Sequence, residues 1–148
     1  MKLLPVAAVL LSVSSFSFAA TLSSMNTSDV TDVLSDKTIT TISAATLNGK
    51  VLPNSFTGYF SKDGKMHGKF VKQTDGAPQS DSGTWLVKDD GSVCMTWSQW
   101  FNAKEECVTF YKLQNGLLIV GTDQNFESVI LNSDIQSGDQ TQTTAAKQ

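Results

Sequence analysis

The sequence predicts an all-β fold, a small antiparallel barrel or a clamshell of two sheets with about seven or eight strands, preceded by a short helix. Three observations carry this. Asp63-Gly64, Asp90-Gly91 and Asn115-Gly116 sit between short runs of β-branched and aromatic residues, at intervals of about 25 positions. Within those runs apolar and polar residues alternate, as in strands buried on one face. Turns this tight join neighbouring antiparallel strands and leave no room for crossover helices.

The chain opens with a different pattern. Lys2 is followed by an apolar run from Leu3 to Val13, and Ser17-Phe18-Ala19 offers small residues to a signal peptidase. Residues 1–19 are therefore read as a secretory signal cleaved after Ala19. A membrane anchor would need about 20 mostly apolar residues, and the serines at 12, 14, 15 and 17 interrupt the run. Residues 20–35 are polar, with Thr27 or Ser28 able to cap a helix that ends near Leu34 and shows Val30, Val33 and Leu34 on one face.

A β domain is expected over 36–131. Its runs are Phe56–Ser61, Met66–Lys72, Gly83–Lys88, Val93–Ser98, Cys107–Leu113, Leu117–Thr122 and Phe126–Leu131. Asp75-Gly76-Ala77-Pro78 and the stretch from Gln99 to Lys104 read as open loops. Residues 132–148 are polar and nearly free of large apolar groups, so a disordered tail is expected there.

Alternation assigns faces. Trp85 and Val87 share one side of their strand; Val93, Met95 and Trp97 share one side of the next; Val108 and Phe110 oppose Cys107, Thr109 and Tyr111. If the strands on either side of Trp100 pair, Cys94 and Cys107 face each other. In an exported chain two cysteines read as one disulfide, Cys94–Cys107, which places the protein in the periplasm or outside the cell.

Composition narrows the partners. Without Lys2 there are ten basic and fourteen acidic residues, a net charge of about −4, and every basic residue is a lysine. Arginine is the usual reader of phosphates and guanine edges, so an acidic chain without it is a poor binder of nucleic acid. No apolar stretch after the signal is long enough to span a bilayer. A monomer is expected.

Gly83-Thr84-Trp85, Asp90-Gly91, Cys94, Trp97 and Cys107 follow in an order that resembles small exported bacterial proteins. Lys37-Thr38, Gly49, Tyr59-Phe60 and Asp63-Gly64 extend the pattern upstream. The family is known only as domain of unknown function 995, and the resemblance runs from about Leu34 to Leu131. It implies an exported all-β domain, and it brings no activity and no catalytic residues with it. The outline is also lipocalin-like, although the Gly-x-Trp that lipocalins carry near their first strand falls here in mid-domain.

No catalytic set and no metal set emerges, and no cofactor is implied. A nucleophile triad needs a base beside a serine or cysteine, and His67 is the only histidine, just past a hairpin on a strand position that reads as solvent-facing. Glu105, Glu106 and Glu127 are the glutamates available for a carboxylate pair, while most aspartates fall in turns. The aromatic residues are more informative. Trp85 and Trp97 belong in the core, whereas Trp100 and Phe101 lie in a loop, with Tyr111 on a strand nearby. Trp100 and Phe101 either plug one end of the barrel or line a mouth for a small apolar or sugar-like ligand. The leading expectation is a non-catalytic binding module using Trp100, Phe101 and Tyr111, in which alanine at both loop positions leaves the fold intact and abolishes binding. A protein-interaction or inhibitor role working through an exposed edge strand is the alternative, and a hydrolase using His67 or a carboxylate pair comes third.

Overall fold

A computed structural model of the chain describes residues 22–47, 50–52, 55–71, 78–123 and 126–141. The expected signal peptide, positions 75–77 of the expected loop and the last part of the expected tail (142–148) lie outside these.

One helix and nine strands follow in order: α1 (Thr27–Leu34), β1 (Lys37–Leu47), β2 (Lys50–Leu52), β3 (Phe56–Phe60), β4 (Lys65–Phe70), β5 (Ser80–Val87), β6 (Val93–Trp97), β7 (Glu105–Leu113), β8 (Gly116–Gly121) and β9 (Phe126–Ser137). Strands β3 to β9 each pair antiparallel with the next, β1 pairs with β3, and β1 pairs with β9 from Lys37↔Ser137 to Leu47↔Phe126. That last pairing decides between the two expected architectures. Eight strands form a closed barrel, and β2 is a short hairpin strand on the far end of β1.

The asymmetry of the barrel follows from chain direction. The connections 61–64, 88–92 and 114–115 all fall at one end, and that end is sealed by α1. Asn26, in extended conformation, caps the helix by accepting the Asp29 N–H at 2.9 Å, in place of the Thr27 or Ser28 cap expected from sequence. Thr27 is used otherwise: its hydroxyl lies 3.0 Å and 3.1 Å from the carbonyls of Lys88 and Asp89, which fastens the helix to the β5–β6 turn. Val30 and Leu34 are fully buried, each contributing roughly 1.5–3 kcal/mol. At the helix end, Asp36 takes a left-handed φ of 58°, as Asp tolerates, and its N–H bonds the Phe60 carbonyl. The Asp36 carboxylate accepts the Tyr59 hydroxyl, and this bond holds the phenol above its ordinary pKa.

The two Asp-Gly turns are built alike. Ser61 N–H bonds Lys65 O and Gly64 N–H bonds Ser61 O; Lys88 N–H bonds Ser92 O and Gly91 N–H bonds Lys88 O. Each is a three-residue loop whose glycine alone is left-handed, at φ 81° and 82°. A two-residue turn with positive φ at both Asp and Gly would also suit this dipeptide. The Asp instead spends its carboxylate within the turn: Asp90 accepts the Ser92 N–H at 2.9 Å, and the Ser92 bonds hold its carboxyl below the usual range.

Inward faces agree with alternation. Trp85, Val93, Trp97, Val108 and Phe110 are buried, joined by Ile39, Phe60, Met66, Ile119 and Ile130 from the rest of the ring. Gly58 and Gly68 face each other across β3 and β4, and a Cβ on either would lie within 2.5 Å of the Phe56 ring. The glycine pair thus makes space for that ring to lie flat along the inner wall.

Cys94 and Cys107 are direct cross-strand partners and are disulfide-bonded. Replacing both by serine is expected to cost about 3 kcal/mol, read as a fall of roughly 1–2 M in the urea midpoint, because the closed loop restricts the unfolded chain. A midpoint unchanged by the double substitution would show that β6 and β7 hold their register unaided.

The described part of the expected tail, 132–141, is ordered as strand and strap. β9 continues to Ser137, and residues 138–141 then cross the outer face of β1, β3 and β4. Thr38 donates to Gly138 O at 2.7 Å and accepts the Gln140 N–H at 2.9 Å. Thr141 is buried, and its hydroxyl lies 2.9 Å from His67 Nε2. Polar composition suggested disorder because strand pairing with β1 and hydrogen bonds to β4, about 70 to 100 positions away, leave no trace in local sequence.

Candidate ligand-binding site

A cavity of about 280 Å³ occupies the end of the lumen opposite α1. Its wall is apolar: Ile39, Phe56, Phe60 and Phe70 from one side, Val93, Met95, Phe110 and Ile119 from the other. Thr41 also lines it, and its Oγ1 accepts the Phe56 N–H at 2.9 Å. One polar atom in the same inward row stays unsatisfied. Ser128 Oγ, across the strand pair from Ile119, is buried without a hydrogen-bond partner among the described residues.

The mouth is shaped by the turn Trp100–Ala103 between β6 and β7. Phe101, Asn102 and Ala103 are all left-handed, at φ 54°, 57° and 55°. Such a run costs on the order of 1–3 kcal/mol per residue, so the surroundings must fix it. Asp81 supplies one anchor: its Oδ2 accepts the N–H groups of Gln99 at 2.8 Å and Trp100 at 2.9 Å from a buried position on β5. Trp100 supplies the other. Its indole N–H bonds Pro78 O at 2.8 Å, and its ring packs at 4.7 Å on Trp97 and 5.0 Å on Phe70.

The three aromatic residues named from sequence therefore separate. Trp100 is 4% exposed and belongs to the core as the plug of this end, so alanine there is expected to cost stability. Phe101, 38% exposed, lines the cavity at its mouth. Tyr111 lies on the outward face of β7, bridged to Ser24, at about 17 Å along the strand from Glu106. Trp100 and Phe101 thus answer the alternatives of plug and mouth one each, and Tyr111 joins neither.

Glu106, named from sequence only as one member of a possible carboxylate pair, stands instead at the cavity. It lines the mouth, paired across β6–β7 with Met95, and Asp123 lines it from the β8–β9 connection. The alternation Glu106, Val108, Phe110 already pointed its side chain inward. Glu105 faces the other way and lies 3.2 Å from Lys88 Nζ on the outer surface, so the two glutamates share no site. Glu127 is exposed on β9.

His67 belongs to the strap. Its Nε2 stands 3.0 Å from Asp139 Oδ2 beside Thr141, whose hydroxyl and N–H both bond Asp139 Oδ1. Burial pushes the Asp139 carboxyl up, but the Thr141 bonds and the imidazole together outweigh it and hold the carboxyl below its ordinary range. A wider polar groove beside the strap, about 840 Å³ and open to solvent, is lined by these same groups and by Asp81, all engaged in structural hydrogen bonds. The geometry is that of a clasp, with the hydroxyl proton directed at the carboxylate and away from the ring.

Among the described residues no helix is long and apolar enough to cross a membrane. The disulfide fits an oxidising compartment. The sequence matches no protein-family model and no curated protein.

Proposed function

We propose that this chain is an exported, non-catalytic binding module that takes a small apolar ligand into the barrel lumen past Phe101. The apolar cavity carries the reading. At about 280 Å³ it has room for roughly nine waters' worth of ligand, near the lower end of small-molecule sites. A sugar would bring several hydroxyls to a wall that is mostly hydrocarbon and aromatic, so an apolar body is the better match. The N-terminal pattern from Lys2 to Ala19 and the disulfide support export to a bacterial periplasm or beyond, and the resemblance to domain of unknown function 995 agrees with that. An interaction through a long exposed edge strand has less support, since the ring closes and only the three residues of β2 end the order of strands.

The test is fluorescence titration with the small probe 1-aminonaphthalene, which is neutral at pH 7. The native protein should bind it at micromolar concentration, and Phe101→Ala should weaken binding about tenfold by removing apolar contact at the mouth. The same variant should stay within about 0.5 kcal/mol of native stability, because Phe101 is substantially exposed. No binding by the native protein, or equal binding by the variant, would rule the lumen site out.

A further inference from the structure

We infer that the ligand carries a cationic head, an ammonium on an apolar body of about ten non-hydrogen atoms, with the head at the mouth beside Glu106. This rests on the lumen-binding reading and adds the charge of the ligand to it.

Two features lead there. The charged side chains lining the cavity are Glu106 and Asp123, both acidic, and no lysine is among the lining residues described. Charge and apolar surface are also segregated. Glu106 shares its inward row with Val108 and Phe110, so the carboxylate sits at the rim while the wall beneath it is hydrocarbon and aromatic. The lysines nearest in sequence are committed elsewhere or turned out: Lys88 pairs with Glu105 on the outer surface, and Lys104 is exposed beyond the turn. Among the described residues none forms an ion pair with Glu106, whose half-buried carboxylate lines the mouth.

An anionic amphiphile such as a fatty acid would bring a like charge up against the Glu106 carboxylate, where partial exclusion of water strengthens repulsion. An ammonium head reverses the sign of that interaction and can donate hydrogen bonds to the carboxylate, while its chain enters the lumen. A neutral alcohol of equal length gains the apolar contacts alone. The wall therefore sets affinity and Glu106 sets which head is accepted.

Displacement of 1-aminonaphthalene by octylammonium, octanol and octanoate at pH 7 and low salt separates these contributions. The expected order is octylammonium, then octanol, then octanoate, with the cation about tenfold or more ahead of the anion. Glu106→Gln, which keeps shape and removes charge, should reduce that ratio to about threefold or less and leave octanol unchanged. Raising salt should shrink the ratio in the native protein as well. Octanoate binding as tightly as octylammonium, or a ratio unmoved by Glu106→Gln, would overturn the cationic-head inference while leaving the lumen site standing. Failure of all three compounds and of the probe itself to bind would overturn the lumen site and the inference together.

Discussion

Gly83→Ala is expected to unfold the protein or to remove about 4 kcal/mol or more of its stability, a substantial part of the roughly 5–15 kcal/mol that a domain possesses. Gly83 sits in β5 between Met66 of β4 and Trp97 of β6. A Cβ there would stand 2.1 Å from the Thr96 carbonyl oxygen, 2.9 Å from its carbon and 3.0 Å from the Trp97 Cα. All three are backbone atoms, so no side-chain rotation relieves the clash. Relief requires β5 and β6 to part, which breaks the pairing that carries Trp85 and Trp97 into the core and the Ser98 N–H to Ser82 O bond that begins the mouth turn. Urea unfolding followed by circular dichroism measures the loss, with Ser82→Ala, an exposed neighbour, as a control expected within about 0.5 kcal/mol of native. A folded Gly83→Ala protein shifted by less than about 1 kcal/mol would contradict the close approach of these two strands.

Trp100→Ala should destabilise by about 3–5 kcal/mol, as large-to-small changes of buried aromatics do. The ring fills the space between Trp97, Phe70 and Phe56, and its indole N–H satisfies Pro78 O. Removing it leaves both a cavity and a carbonyl without its donor. Trp100→Phe keeps most of the packing and should cost about 1–2 kcal/mol less than the alanine variant. The contrast with Phe101→Ala is the informative one. Adjacent residues of one loop are expected to split cleanly, Trp100 acting on stability and Phe101 on ligand affinity. Equal stability losses at the two positions would mean that the loop does not hold Trp100 inward and Phe101 at the rim.

That division has a physical basis. Three consecutive left-handed residues are costly, and the turn persists because Asp81 and Trp100 fix its first residues from buried positions. A mouth held this way presents Phe101 in a set place over the cavity with little ordering left to do when a ligand arrives. The closed end is treated differently: α1 covers it with Val30 and Leu34, both fully buried, so the proposed ligand would enter from the Phe101 end.

Local chemistry in the sequence determined the helix, the strands from Phe56 to Leu131 and much of the inside-outside division, but not the long first strand Lys37–Leu47. The Asp-Gly pairs located two of the hairpins, alternation placed Trp85, Trp97, Val108 and Phe110 inward, and the facing of Cys94 and Cys107 followed from pairing across the loop between them. Such signals survive in sequence because period and turn chemistry are properties of a few neighbouring residues. Tertiary structure alone decided the rest. Closure of β1 on β9 joins segments about 90 positions apart, and the same alternating strands would also have suited two open sheets. The strap over His67 and Thr38 depends on hydrogen bonds between distant polar residues that composition reads as disorder. Trp100 and Phe101 are neighbours in a loop with nothing local to distinguish them, and only the left-handed turn anchored by Asp81 sends one into the core and the other to the rim. Glu106 lay between these cases: its inward direction was legible from Val108 and Phe110, but that it stands at the edge of a cavity required the ring to close around it.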